Sequence, residues 1–304
     1  MVIERLTAET GLPTEYVTKL AVSASHRYKT YFIPKKNGGL RQIDHPAREL
    51  KLLQRWILDR IFSTMTVSPA AYGYRKGVSV ANHAAVHAQN NFLLKIDFRD
   101  FFPSIHSYDV ELTLRRHGND FPDRKLSEED IAFIKQVVCK NGRLTIGAPT
   151  SPSISNIVMK EFDGHWSNRS TEMGITYTRY ADDLCFSCSV PGILKEVFFQ
   201  LKQHLNEMQS PRLTLNETKT VFTSRKRRRN VTGIVLTSDN KLSLGRATKR
   251  RIRSMVFLFS KQESEKEQIQ YLQGFLAYAN SVEPGFVDSL RRKFGRAILD
   301  QLGV

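Results

Sequence analysis

Two adjacent carboxylates, Asp182 and Asp183, stand between two β-rich runs, Ile175 to Tyr180 and Leu184 to Ser189. A third, Asp97, ends the apolar run Phe92 to Ile96, 85 residues upstream of Asp182. An acid pair in a turn is ordinarily turn chemistry, because aspartate tolerates such backbones and is well solvated there. Acids that end buried strands are different: they crowd like charge into one place, which is unfavourable unless cations neutralise it. Three carboxylates converging from two strand elements suit a pair of Mg²⁺ ions held roughly 3.5–4 Å apart for in-line phosphoryl displacement.

The elements that must position these acids follow from periodicity. Residues 1–25 read as two short helices broken at Gly11-Leu12-Pro13, with Pro13 suited to a first helical turn. Tyr28 to Ile33 and Leu40 to Asp44 read as strands around a Gly-rich turn carrying Lys35 and Lys36. Apolar spacing at Leu50, Leu53, Trp56, Ile57 and Ile61 predicts an amphipathic core helix, and a second helix runs from about Ser79 to Gln89. Phe92 to Asp97 is a buried strand with a charge at its exit. Helical pattern fills 107–140 around a polar break at His117 to Lys125, and another helix starts near Ser151. The stretch around Ala181-Asp182-Asp183 is a hairpin with paired acids at its tip. A helix from Ile193 to Met208 precedes strand-like pieces at Leu213 to Leu215, Thr220 to Phe222, Val231 to Leu236 and Lys241 to Leu244, and the tail from Arg246 is helical in pattern.

Composition bounds the partner. The 304 residues carry 46 Lys+Arg against 30 Asp+Glu, a formal charge of +16, which argues against an acidic-ligand scavenger or an inert scaffold and for a polyanion. Residues 225–253 hold eleven Lys+Arg and one acid, Asp239, so most of the excess is local. With 40% hydrophobic residues the chain can pack a core, and its length suggests about two domains. No run of roughly 18 apolar residues occurs and the N-terminus lacks a signal core, which leads to the expectation of a soluble, intracellular protein. Cys185 and Cys188 form a C-x-x-C too sparse for a zinc site; on a strand they point to opposite faces, so a structural role is expected for both.

These residues resemble a known family. Tyr180-Ala181-Asp182-Asp183 is similar to the YxDD signature of reverse transcriptases, and Phe92 to Phe102 resembles the strand bearing their first metal aspartate. The likeness runs from about residue 28 to 245 with motifs in order. It implies an α/β (α+β) right-hand polymerase: fingers 1–90 and 104–145, palm 91–103 and 146–235 with an antiparallel sheet carrying the acids, and a small helical thumb, 236–304. It also implies that Asp97, Asp182, Asp183 and the Phe98 carbonyl serve two Mg²⁺ ions, with Mn²⁺ able to substitute. Lys219, in Asn216-x-x-Lys219, would lie near the leaving pyrophosphate as a proton donor. Lys35, Lys36 and Arg41 would grip the triphosphate, Arg41 foremost because a guanidinium binds phosphate bidentately. Phe102 would sit beneath the sugar and exclude a 2′-hydroxyl. Ile146-Gly147-Ala148-Pro149-Thr150-Ser151-Pro152 resembles the family's Q-G-x-x-x-S-P segment facing nucleotide and template, with Gly147 and Ala148 as contacts and Ile146 in place of glutamine.

Two stretches narrow the resemblance to bacterial retron reverse transcriptases: Val231-Thr232-Gly233, and Asn82 to His87, similar to an N-A-x-x-H segment in which His83 stands where relatives tend to have Asn. That likeness implies RNA contacts at Asn82, His87, Val231, Thr232 and Gly233, joined by the basic run Arg225, Lys226, Arg227, Arg228 and Arg229 and the basic helix with Arg250 and Arg253. It further implies a bacterial, cytoplasmic enzyme that reverse transcribes its own noncoding RNA from the 2′-hydroxyl of an internal guanosine, using deoxynucleoside triphosphates, to leave branched RNA–DNA (msDNA). A companion effector in anti-phage defence, a host ribonuclease H for template removal and no membrane partner complete the expectation. Rival readings are a group II intron or diversity-generating reverse transcriptase, a catalytically silent RNA-binding module and, more distantly, an RNA-copying RNA polymerase.

Overall fold

A computed structural model describes residues 2–35, 38–117 and 125–304. Elements follow in chain order: α1 Val2–Thr10, α2 Thr14–Val22, β1 Tyr28–Pro34, β2 Leu40–Pro46, α3 Arg48–Arg60, α4 Val80–Ala88, β3 Phe92–Asp97, α5 Phe101–Ser104, α6 Ser107–His117, α7 Glu128–Val138, α8 Ser151–Val158 and α9 Lys160–Glu172. The second half comprises β4 Thr176–Tyr180, β5 Asp183–Cys188, α10 Ile193–Glu207, β6 Val221–Ser224, β7 Arg229–Val231, β8 Ile234–Leu236, β9 Leu242–Ser243, α11 Gly245–Ser260, α12 Lys266–Val282, α13 Pro284–Phe294 and α14 Arg296–Gln301.

The central sheet is antiparallel with order β4-β5-β3-β6. β3 and β5 read as continuous apolar runs because both of their faces are covered. Leu94 and Ile96 of β3, with Leu184, Phe186 and Cys188 of β5, enter a large core built with α1–α3 and α6–α10. Leu93 and Cys185 face the other way, into a second core of α4, β7, β8 and α11–α14. The two cysteines therefore lie on opposite faces, as strand alternation predicts, and both are buried free thiols. Register, which alternation makes unforgiving, sets Asp97 directly opposite Asp183.

Several local expectations change. Val231 to Leu236 is not one strand: Thr232 (φ 47°) and Gly233 (φ 89°) turn the chain so that Val231 pairs with Ile234. Two positive-φ residues between paired strands make the tight hairpin whose twist matches β-strands. Leu213 to Leu215 contributes a single bridge, Phe98 to Leu215, rather than a strand. Pro13 stands at the N-cap of α2, one residue before its first turn. Among the described residues no helix is long and apolar enough to cross a membrane.

Candidate active site

Asp97 is delivered by the end of β3 and is clamped from 216–219. The Asn216 amide N–H donates to the Asp97 carbonyl at 2.7 Å. Asn216 Nδ2 and Lys219 Nζ donate to Asp97 Oδ1 at 3.2 and 2.8 Å. The Asp97 carboxylate raises the Lys219 amine above its ordinary value.

The hairpin tip is held from both sides. Ala181 adopts a left-handed backbone (φ 56°), and the Asp182 carbonyl accepts from Phe98 N–H at 3.0 Å, which locks the tip against the end of β3. From behind, Tyr72 N–H donates to the Arg179 carbonyl and Arg179 N–H to the Ala70 carbonyl, at 2.7 and 2.8 Å. The fully buried Arg179 guanidinium grips Asp163 at 2.6 and 2.8 Å and donates to the Ala181 carbonyl at 3.1 Å. A buried charge is tolerable when paired and multiply hydrogen-bonded, and here the pairing fixes the tip.

The tip crowds buried negative charge. Burial pushes the Asp182 carboxyl up to about 6, with the charges of Asp183 and Asp97 adding to the effect. Burial also raises Asp183, against the nearby Lys95 ammonium. Asp97 and Asp182 open onto one cavity of about 690 Å³, whose wall also includes Lys219, Phe98 and Phe102. Asp183 is not part of that wall, and among the described residues the three carboxylates are not gathered within 4.8 Å of one another. The donor set nevertheless fits a divalent cation. It offers hard carboxylate oxygens, one with its proton affinity raised by burial and by its acid neighbours and another already drawing an ammonium to itself.

Lys35 and Arg41, from the β1–β2 hairpin, line the same cavity; Lys36 lies outside the described residues. Of the two residues expected at the nucleotide, Gly147 is exposed and Ala148 buried. Gly147 (φ 121°) passes so close to β2 that a Cβ would stand 2.6 Å from the Asp44 carbonyl oxygen. The missing side chain thus permits this close approach, and Ile146 reaches the cavity wall.

The RNA candidates divide by exposure. Lys226, Arg227, Arg228, Arg250 and Arg253 are exposed, as is Gly233 at its turn. Asn82 is exposed, but its side chain caps α4 in a reciprocal pair with Ser79. Arg225 is half-buried and donates to Asn240 Oδ1 at 2.7 Å. Three expectations fail on burial: Arg229, His87 and Val231 are fully buried. The Arg229 guanidinium is spent on the carbonyls of Ala88, Asn90 and Thr237, so it supports the chain and offers nothing to a phosphate.

His87 belongs to a network that sequence reasoning missed. His83 Nε2 and His87 Nε2 each lie 2.7 Å from Thr178 Oγ1, His87 Nδ1 lies 2.7 Å from Ser187 Oγ, and His83 Nδ1 lies 3.5 Å from Thr232 Oγ1. Burial pushes the two imidazoles down to about 4 and about 3, so both are neutral near pH 7. Donor atoms of His83, His87 and Cys185 lie within 4.8 Å of one another, but the ring nitrogens already have hydroxyl partners. The available signal was the i, i+4 spacing of the histidines, which puts both on one helix face. The residues they meet lie on distant strands.

Comparisons with known proteins identify the family. A family model described as "Reverse transcriptase (RNA-dependent DNA polymerase)" matches residues 33–272. The retron Ec83 reverse transcriptase of Escherichia coli is 36% identical over 92% of this chain and 90% of its own length. The retron Ec73 and Ec86 reverse transcriptases of the same species are 33% and 31% identical over 89% and 96% of this chain. Among solved structures, a Candida albicans telomerase in complex with a telomeric RNA fragment superposes with a TM-score of 0.53 at 12% identity, covering 95% of this chain and 58% of that one. A truncated apo telomerase from Candida tropicalis gives 0.51 at 14%, over 75% of this chain and 58% of its own. At such identities the structural likeness speaks for the fold alone, a right-hand polymerase fold, while the sequence relatives speak for more. The chain belongs to the reverse transcriptases and, within them, to the retron RNA-directed DNA polymerases.

Proposed function

We propose that the chain copies part of a retron noncoding RNA into DNA, starting from the 2′-hydroxyl of an internal guanosine and leaving a branched RNA–DNA product. One observation carries the site assignment: the Phe98 N–H bond to the Asp182 carbonyl and the Asn216–Lys219 clamp hold Asp97 and Asp182, distant in the chain, at one cavity with a lysine amine beside them. Asp97, Asp182 and the Phe98 carbonyl hold divalent ions, Mg²⁺ with Mn²⁺ as substitute, and Asp183 completes the acid cluster. Bound there, such ions supply charge neutralisation at the attacking and leaving oxygens.

The chain's own groups do the rest. Arg41 and Lys35 grip the triphosphate. Lys219, kept protonated by Asp97, is placed to give a proton to the leaving pyrophosphate. The Phe102 ring walls the sugar pocket and excludes ribonucleotides. Fingers span 1–90 and 104–145, palm 91–103 and 146–235, and the helical thumb 236–304.

The enzyme works in the bacterial cytoplasm with its noncoding RNA, a companion effector in phage defence, and a host ribonuclease H that removes template. Sequencing the nucleic acid that copurifies with the protein tests this reading. A 2′–5′ branch joining RNA to DNA is expected. Unbranched DNA primed from a 3′-hydroxyl would move the enzyme to the group II intron or diversity-generating class.

A further inference from the structure

Tyr74 is a bulky residue held at φ 60°. Left-handed backbone is strained for a residue with a Cβ and persists only where the surroundings over-determine it, as they do at functional sites. The surroundings here do so. Asn156 Nδ2 donates to the Gly73 carbonyl at 2.8 Å. Arg75 folds back onto the carbonyls of Pro69 and Ala71, each at 3.0 Å. The segment pairs with Arg179 through Ala70 and Tyr72. Gly73 approaches so near the acid-bearing turn that a Cβ would stand 2.8 Å from Ala181 N.

What this scaffold presents is a tyrosine that stays 49% exposed. The ring lines the cavity of Asp97 and Asp182, with its centroid 6.2 Å from Phe102 and 6.4 Å from Tyr180. Asp182 and Arg41 line the same cavity as the ring. Nothing in the packing of the core requires an exposed tyrosine in a strained backbone.

We infer that Tyr74 is a substrate-contacting residue: with Phe102 it forms a two-ring wall against the sugar of the incoming nucleotide. This rests on the reading of the cavity as the nucleotide site. The tilted pair offers an apolar, rigid edge to a deoxyribose, and a 2′-hydroxyl pressed against it loses water without gaining a partner. Sugar selection therefore belongs to two residues from two segments, on either side of β3 in the chain.

The test measures single-nucleotide incorporation on an RNA template with deoxy- and ribonucleoside triphosphates, for wild type, Tyr74→Phe, Tyr74→Ala, Tyr74→Gly and Phe102→Ala, with a thermal melt of each. Tyr74→Ala is expected to raise the deoxynucleotide KM about tenfold with kcat changed by less than about threefold, and to lower discrimination against ribonucleotides about fivefold. Tyr74→Phe keeps the ring and the selection. Tyr74→Gly is the decisive variant: glycine relieves the left-handed strain, so it melts at or above wild type while sharing the KM defect. Wild-type KM and discrimination in both the alanine and glycine variants would overturn the inference, as would a glycine variant that melts lower than wild type. If Phe102→Ala relaxes selection and the Tyr74 variants do not, only the Tyr74 assignment falls. If neither position affects nucleotide use, the reading of the cavity falls with it.

Discussion

Asp182 carries the clearest energetic signature of the site. Its carboxyl is pushed up from 3.8 to about 6 by burial and by its acid neighbours, so the folded chain holds that proton more tightly than the unfolded chain does. Stability contributed this way is present below the unfolded value and lost as pH rises through the folded one, between about pH 4 and pH 6, for a cost of about 3 kcal/mol. Asp182→Asn removes the cost. In chelator at pH 7 the variant should therefore melt above wild type, with the gap closing toward pH 4 and shrinking on addition of Mg²⁺. A gap that is the same at both pH values would contradict this origin. The charge cluster itself was legible in the sequence, since acids at the ends of continuous apolar runs stand out without any structure. Tyr74 was not, because neither strain nor exposure is written in residue type.

At the scale of elements, the catalytic turn depends on the close approach of the 70–75 segment. Gly73→Ala would place a methyl 2.8 Å from Ala181 N, with backbone rather than a flexible side chain as the obstacle. The expected result is a loss of about 1–3 kcal/mol in stability, measured by denaturant unfolding, and a fall in kcat larger than that in RNA affinity. Unchanged kcat would show that the turn tolerates displacement. Most elements followed from periodicity, and the β3 and β5 strands from their apolar runs. The Val231 to Leu236 segment misled because a β-rich hexapeptide hides its turn when the only signal is one glycine. The His83 and His87 network was out of reach for another reason: Thr178 lies 91 residues from His87 and 95 from His83, and no local pattern states which strand a helix face will meet.

Across the whole molecule, positive charge is divided between duties that sequence does not separate. In the run Arg225 to Arg229 the first four side chains reach at least partly to solvent, while Arg229 is buried against three carbonyls. Neutralising a side chain that meets an RNA phosphate should lower the salt dependence of binding, by a slope of about 0.7–0.9 for each such phosphate. Replacing Arg228, Arg250 and Arg253 with Gln should thus flatten the plot of log K against log salt and leave the melting temperature near wild type. Arg229→Gln should do the reverse, because truncating it leaves buried carbonyls unpaired. A flattened slope in the Arg229 variant would put that residue back on the RNA.

The central claim is that Asp97 and Asp182, brought to one cavity, carry the polymerase chemistry. Primer extension by Asp182→Asn on an RNA template with Mg²⁺ and deoxynucleotides, alongside RNA affinity, tests it most directly. Loss of DNA synthesis by at least about a thousandfold with RNA binding largely kept is the result expected if charge at that position is stabilised only in the transition state. Full-length DNA made by the purified variant at the wild-type rate would contradict it.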